Sequence, residues 1–162
     1  MRKKYYVAYG SNLNVIQMAH RCPTAEIAGN GYIEDWQLAF RGSKTGAYLT
    51  IEPKKGSSVP VGIWEITEAD EAALDRYEGF PTFYRKETIN VKVQNYLKGT
   101  AQEVEALVYI MTGNRPVGLP STAYVETCLE GCMDFYIEDD AIWEAYSRAK
   151  KNGKLKERRC DE

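Results

Sequence analysis

Residues 4–13 of the 162-residue chain read KYYVAYGSNL, and this stretch decides how the fold begins. Its first six residues are rich in aromatic and β-branched side chains, which predicts a strand. Gly10, Ser11 and Asn12 are turn formers, so the strand should end there in a loop. A glycine after a strand lets the backbone approach a ligand, and consecutive N–H groups in such a turn can bind an anion. The plainer interpretation is a strand-to-helix turn in which Asn12 or Asn14 caps the next helix.

The rest of the chain carries more strand patterns than helical ones. Residues 14–20 predict a short helix opened by Asn14 and ended before Pro23. Further strands are predicted at 26–40, 47–52, 59–66, 88–93 and 104–111, with a loose polar connection at 94–102. Further helices are predicted from Thr67 to about Glu78, from Pro120 to Gly131 and from Glu138 to Gly153. Because strands and helices do not alternate regularly, the predicted class is α+β.

Length and composition indicate one domain. Hydrophobic residues make up 44% and charged residues 27% of the chain, which are ordinary values for a globular protein. We expect a single domain at 1–153, followed by a charged C-terminal tail at 154–162 that frays.

Net charge argues against two classes of partner. A formal charge of −2 offers no electrostatic footprint for a nucleic acid or an anionic membrane, so neither is expected to bind. No apolar run approaches the roughly 20 residues that span a bilayer, and the residues after the basic N-terminus are expected to form a strand and not the apolar part of a secretion signal. We therefore expect a cytoplasmic protein. The sequence leaves the oligomeric state open, and a homodimer is compatible with it.

The cysteines and the single histidine offer little chemistry. The four cysteines lack the Cys-x-x-Cys spacing of metal and redox sites, so free thiols are expected, with Cys128 and Cys132 in the core. His20 and Cys22 could form a catalytic pair, but a surface histidine at a helix end is the simpler interpretation. The acidic residues at 138–140 could bind a metal, but their place at a helix start explains them better.

Glu78 is the more informative residue. A carboxylate at the C-terminal end of a helix meets the negative end of the helix dipole, which is unfavourable by about 0.3–1 kcal/mol. Aromatic residues at 77, 80, 83 and 84 would also remove water from this carboxyl group, and both effects raise its pKa. A glutamate whose pKa rises toward 6–7 has the property required of a general base at neutral pH.

Taken together, these segments resemble the γ-glutamylcyclotransferase family. The resemblance rests on YVAYGSNL at 6–13, LDRYEG at 74–79 followed by Tyr84, VYIM at 108–111, and PSTAY at 120–124 followed by Gly131. These blocks occur in the family's order and with similar spacing, from about residue 5 to residue 131.

The resemblance implies a small mixed β-barrel, closed or nearly closed and flanked by helices. It also implies that Glu78 is the catalytic glutamate. The remaining site residues that it implies bind the substrate or lie near it, and they are Tyr6, Val7, Ala8, Tyr9, Gly10, Ser11, Asn12, Tyr84, Tyr109 and Tyr124. Loops at 42–46 and 113–118 are expected to shape the end of the pocket that holds the leaving group.

The activity that the resemblance implies is cyclisation of a small γ-glutamyl compound to 5-oxoproline, with release of an amino acid or amine. No metal or cofactor is expected, because the substrate's own α-amine is the nucleophile. Two alternatives remain open. The chain could release a γ-glutamyl protecting group from an amine that is not an amino acid, or it could be a binding module that holds such a ligand without turnover.

Overall fold

The computed structural model describes residues 3–43 and 46–160, without the side chains of Ser43 and residues 153–160. Within these ranges five strands form a closed barrel flanked by four α-helices. The strands are β1 (Lys4–Ala8), β2 (Glu26–Ser43), β3 (Gly46–Ile66), β4 (Tyr84–Asn95) and β5 (Thr100–Met111), and the helices are α1 (Val15–Arg21), α2 (Glu68–Glu78), α3 (Thr122–Asp134) and α4 (Asp140–Cys160). The predicted α+β class with a helix-flanked barrel is confirmed. The expectations for residues 44–45, the Cys160 side chain and the last two residues lie outside the described part.

The short strand β1 closes the barrel. The strand order is β1-β3-β2-β4-β5, and β1 pairs antiparallel with β3 and parallel with β5. The parallel pairs join Tyr5 to Ala106 and Tyr6 to Leu107, so the sheet is mixed as predicted. As a result, the loop that follows β1 starts between two barrel strands.

Strand β3 is one continuous element of 21 residues, whereas the sequence predicted two strands separated by a turn. It pairs with β2 along the whole of β2, from Glu26 to Ser43, and the register of the pairing shifts at two places. One shift lies at Asp35, which has a φ of 65° and whose carboxylate accepts from the Gly56 N–H at 3.0 Å. The local turn signals therefore mark a bulge within a long hairpin and not a strand end.

The connection between β4 and β5 is also tighter than predicted. Pairing continues to Asn95 and Thr100, which leaves a turn of only four residues, 96–99. The Asn95 side chain accepts from the N–H groups of Leu97 and Lys98, and Gly99 has a φ of 67°. The predicted loose connection at 94–102 is wrong, because these polar residues form the ends of the strands and the turn itself.

The predicted helix starts agree with the structure better than the predicted ends. Helix α2 has a capping box between Thr67 and Asp70 and ends at Gly79 with a φ of 67°, as predicted. Helix α3 starts after Ser121 as predicted, but it continues through Gly131 to Asp134. A Cβ atom at Gly131 would lie 2.5 Å from Leu13 Cβ, so close packing explains this glycine. Helix α4 likewise continues past residue 153 to Cys160.

A single 3₁₀ turn at Ser11–Leu13 joins β1 to α1 and lies against α3. The Asn14 side chain caps α1 by accepting from Gln17 N, and its amide nitrogen donates to the Thr127 carbonyl at 3.1 Å. Trp64 of β3 donates its indole N–H to the Asn12 carbonyl at 2.8 Å. The turn is thus held from the barrel side and from the helix side, which fixes the backbone that the sequence marked as a candidate site.

Among the helices within the described residues, none combines the length and the apolar character that crossing a membrane would require.

Candidate active site

A cavity of about 350 Å³ lies beside the 3₁₀ turn and the C-terminal end of α2. Nine of the residues that the sequence singled out line it, and they are Tyr6, Tyr9, Gly10, Ser11, Asn12, Glu78, Tyr84, Tyr109 and Tyr124. These residues come from β1, the turn, α2, β4, β5 and α3, so the fold brings together segments up to 118 positions apart in the sequence.

Glu78 is the last residue of α2 and presents its carboxyl group to this cavity. Burial raises the pKa of Glu78 to about 7, while the positive charge of Arg21 acts in the opposite direction. The upward direction agrees with the sequence prediction. At neutral pH such a carboxyl group is close to half protonated, which allows it both to accept and to donate a proton.

Asn12 is the direct partner of Glu78. Its amide nitrogen donates to Glu78 Oε1 at 3.1 Å and to the Tyr6 hydroxyl at 3.0 Å. Its amide oxygen accepts from Arg21 Nη1 at 2.7 Å. Both amide hydrogens are therefore used within the protein, so the side chain of Asn12 holds the carboxyl group and has no hydrogen left to donate to a substrate.

Five of the predicted site residues are tyrosines, and the hydroxyl groups of three of them donate to protein atoms. Tyr9 donates to the Tyr109 carbonyl at 2.6 Å, Tyr84 to the Leu49 carbonyl at 2.9 Å and Tyr109 to Asp75 Oδ1 at 2.6 Å. Their rings form the cavity wall, whereas their hydroxyl hydrogens are engaged in holding the barrel strands and α2.

The other two tyrosine hydroxyls accept hydrogen bonds. Tyr124 accepts from the Leu49 N–H at 3.0 Å, and Tyr6 accepts from Asn12. Among the described residues the hydroxyl hydrogen of Tyr6 has no acceptor. Tyr6 is therefore placed to donate a hydrogen bond to a ligand.

Val7 and Ala8 do not line the cavity, although both stood among the predicted site residues. Both are fully buried in the hydrophobic core. Val7 faces the side of β1 opposite to Tyr6, because adjacent strand residues point to opposite faces. Ala8 shares the face of Tyr6 but carries only a methyl group.

The 3₁₀ turn contributes backbone N–H groups. The first N–H groups of a helical turn have no partner within it, and those of Gly10, Ser11 and Asn12 have no acceptor among the described residues. Gly10 also lies close to α3, since a Cβ atom there would be 3.2 Å from the Tyr124 hydroxyl oxygen. A side chain at this position would thus crowd the cavity wall.

Sequence reasoning missed some of the residues around the cavity. It noted the aromatic residues at 77 and 83 but gave no role to Tyr48, Leu49 or Arg76, which also line the cavity. Nor did it find Arg21, because a basic residue in the last turn of a helix is ordinarily explained by the helix dipole.

The aromatic wall around Glu78 differs from the prediction in one residue. Phe83 and Tyr84 line the cavity, whereas Phe80 packs under Lys86 Nζ, which is 4.2 Å from its ring centroid. From the 113–118 loop, the Arg115 guanidinium lies 4.1 Å from the ring centroid of Phe83. This loop therefore contacts a residue of the cavity wall, although none of residues 113–118 lines the cavity itself.

The competing candidates do not form sites. His20 is exposed on α1, whereas the Cys22 thiol is buried and donates to the Asp70 carbonyl at 3.5 Å. Burial raises the pKa of Cys22 to about 11, so its thiol stays protonated near neutral pH. Cys128 and Cys132 are free and buried in the core, as predicted. The acidic residues at 138–140 are exposed at the start of α4.

Comparisons with known proteins agree with this geometry. A family profile described as gamma-glutamyl cyclotransferase, AIG2-like, matches residues 6–126, a span that contains every residue lining the cavity. A solved structure named gamma-glutamyl cyclotransferase is similar, with 25% identity and a TM-score of 0.75 over 92% of this chain and 87% of that chain.

Two further solved structures share the fold. An uncharacterized protein from Homo sapiens is 26% identical, with a TM-score of 0.71 over 93% of this chain and 88% of that chain. YkqA from Bacillus subtilis is 15% identical, with a TM-score of 0.73 over 93% of this chain and 55% of that chain, and this likeness supports the fold alone. No curated protein sequence gave a significant match. Because the profile covers most of the chain and the barrel matches as well, the chain belongs to the gamma-glutamyl cyclotransferase, AIG2-like family.

Proposed function

We propose that this protein is a γ-glutamylcyclotransferase, which converts the γ-glutamyl part of a γ-glutamyl amino acid or amine to 5-oxoproline and releases the amino acid or amine. The observation that carries the proposal is the Glu78 carboxyl group, which has a pKa of about 7 and faces a cavity that can hold a small molecule. Family membership and the barrel fold support an activity of this type.

The chemistry uses the substrate's own amine as nucleophile. The α-amino nitrogen attacks the γ-carbonyl carbon, a five-membered lactam forms, and the amide bond to the leaving nitrogen breaks. Two of the three hydrogens of the α-ammonium group end on the leaving nitrogen and the third stays on the lactam. Holding the chain in the folded conformer contributes to the rate, because oriented intramolecular reactions reach effective molarities of about 10⁵–10⁸ M.

Glu78 moves these protons in the proposed mechanism. The α-ammonium group of the substrate is largely protonated near neutral pH and must lose a proton before its nitrogen can attack. The Glu78 carboxylate accepts that proton and delivers it to the leaving nitrogen, and it relays in the same way the second proton that the attacking nitrogen loses when the ring closes. Each such transfer is typically worth about 10²–10⁴-fold in rate.

Hydrogen-bond donors near Glu78 suit the charges that this substrate carries. In the proposed complex, the Tyr6 hydroxyl and the N–H groups of Gly10, Ser11 and Asn12 bind the α-carboxylate or the oxygen that becomes negative during attack. The turn that carries these N–H groups is held by hydrogen bonds at Asn12 and Asn14, which supports this role because preorganised donors need no rearrangement when charge develops.

One observation favours an amino acid as the leaving group. Arg76 lines the cavity, is exposed, and has no ion-pair partner among the described residues. A guanidinium group binds carboxylates well, so a leaving amino acid, which carries a carboxylate, is a better fit than an amine without one.

The experiment that tests this proposal measures release of 5-oxoproline from a panel of γ-glutamyl amino acids and γ-glutamyl amines. We expect turnover with the wild type and a loss of at least about a hundredfold in kcat in Glu78→Gln. Glu71→Gln is the matched control, because Glu71 lies on the same helix outside the cavity lining, and it should keep wild-type turnover.

Each alternative function gives a different result. Full activity in Glu78→Gln would remove Glu78 from the mechanism. Turnover confined to amines that are not amino acids would favour the deprotecting reaction. Calorimetric binding of γ-glutamyl ligands without turnover of any of them would favour the binding module.

A further inference from the structure

Arg21 lies next to the site but not in the cavity lining. From the last residue of α1, its Nη1 donates to Asn12 Oδ1 at 2.7 Å and its Nη2 donates to Gln17 Oε1 at 2.9 Å. Its guanidinium carbon lies 3.6 Å from the ring centroid of Tyr77. The partly buried guanidinium group is therefore fixed by three contacts, and one of them is with Asn12, which bonds Glu78.

These contacts determine which way the Asn12 amide points. A guanidinium group can only donate hydrogen bonds, so it must face the amide oxygen of Asn12. The amide nitrogen then faces Glu78 and Tyr6, which is the arrangement observed. The indole of Trp64 holds the Asn12 backbone, so Arg21 and Trp64 together fix the whole residue.

We infer that Arg21 is a positioning residue for Glu78: it acts through Asn12 to hold the carboxyl group in place, and it brings a positive charge next to the site. Only the predicted effect of Arg21 on turnover rests on the proposed function. The effect on Glu78 itself does not depend on any substrate.

The electrostatic part follows from the groups around Glu78. Apart from Arg76, the titratable groups that line the cavity with Glu78 are tyrosines, and none of the described lining residues is a second carboxylate. These tyrosines are Tyr6 of β1, Tyr9 directly after it, Tyr48 of β3, Tyr77 of α2, Tyr84 of β4, Tyr109 of β5 and Tyr124 of α3. Arg21 is the charge that opposes the effect of burial on the pKa of Glu78. Removing it should raise that pKa further.

The test is a titration of Glu78 by carboxyl ¹³C NMR in the full chain, with the resonance assigned by its loss in Glu78→Gln. We expect a midpoint near pH 7 in the wild type and a rise of about 1 pH unit in Arg21→Met. Arg85→Met is the matched control, because Arg85 pairs with Glu87 on β4 outside the cavity lining, and its midpoint should equal that of the wild type.

A second variant separates charge from geometry. Arg21→Lys keeps the charge but loses the planar fork that bridges Asn12 and Gln17. Its Glu78 midpoint should stay near that of the wild type, while kcat should fall about tenfold with KM unchanged.

The outcomes are distinguishable. An unchanged midpoint in folded Arg21→Met, verified by circular dichroism, would overturn the inference whether or not a substrate is known. If Arg21→Met does not fold, wild-type kcat in Arg21→Lys overturns the positioning role. If no γ-glutamyl compound is turned over, the proposed function fails while the titration still decides the role of Arg21.

Discussion

Two glutamates on helix α2 behave in opposite ways. Glu71 and Glu78 are seven positions apart and therefore lie on the same face of the helix. Burial alone would raise the pKa of Glu71, but hydrogen bonds from Lys4 at 2.7 Å and Lys86 at 2.8 Å lower it below its ordinary value. Burial raises the pKa of Glu78 to about 7, and among the described residues no ion pair offsets it.

The helix positions and the neighbours of these two glutamates explain why only Glu78 is a candidate acid and base. Glu71 lies in the first turn of α2, where the helix dipole favours a negative charge, and two lysines neutralise it. Glu78 lies in the last turn, where the dipole opposes the charge, and its neighbours are aromatic rings and an amide. The first glutamate stabilises the fold through ion pairs, whereas the second keeps a proton that it can exchange.

The largest expected effect of this difference is on the pH dependence of turnover. Because the general base must be ionised, kcat/KM should fall about tenfold per pH unit below the pKa of Glu78, or about a hundredfold between pH 7.5 and pH 5. Initial rates of 5-oxoproline release at low substrate concentration measure it.

Glu71→Gln is the control for that profile and should keep the same midpoint. A profile that stays flat down to pH 5 would mean that Glu78 titrates like an ordinary glutamate, and the contrast between the two residues would disappear.

The next largest effect is on stability, where the two residues should give opposite signs. The pKa of Glu78 is higher in the folded state, so its cost to stability is absent below pH 4.5 and grows as pH rises toward 7. At pH 8, Glu78→Gln should therefore raise the free energy of unfolding by up to about 3 kcal/mol. The pKa of Glu71 is lower in the folded state, so its contribution is present at pH 8, and Glu71→Gln should lower stability by about 1 kcal/mol.

Urea unfolding followed by tryptophan fluorescence at pH 8 and pH 4.5 gives both values. The gain in Glu78→Gln should shrink at the lower pH, where the carboxyl group is protonated in the folded state. Equal signs for the two variants at pH 8 would show that the burial of Glu78 carries no energetic cost.

The elements of this comparison that the sequence predicts are local ones. The start of α2 follows from Thr67 and Asp70, and its end follows from Gly79, because caps act within one turn. The raised pKa of Glu78 also follows from neighbours in sequence, since Phe83 and Tyr84 lie only a few residues away.

Features set by distant contacts were not predictable in this way. Gly131 resembles a helix end, but its reason is the backbone of Leu13, 118 positions earlier. Asn12 donates to Glu78 across 66 positions, and Arg21 reaches the site through its contacts with Asn12 and the Tyr77 ring. No periodicity or spacing reports contacts of this kind. The family resemblance supplied the predicted site residues but not the hydrogen bonds that some of them make within the protein.

The smallest expected effect is on turnover in a variant of Tyr109. The sequence predicted that Tyr109 lies near the substrate, but its hydroxyl group is bonded within the protein. Its hydroxyl donates to Asp75 Oδ1 at 2.6 Å, and Asp75 lies between the two glutamates on α2. In Tyr109→Phe the ring remains as a wall of the cavity, so kcat should fall by no more than about threefold, while stability falls by about 1 kcal/mol for the lost hydrogen bond. Tyr32→Phe, at an exposed tyrosine of β2 outside the cavity lining, is the control and should change neither value. A loss of tenfold or more in kcat with unchanged stability would instead place the Tyr109 hydroxyl on the substrate. If that hydroxyl bonds only Asp75, its removal must lower the free energy of unfolding, and a large loss of kcat without that change is not expected.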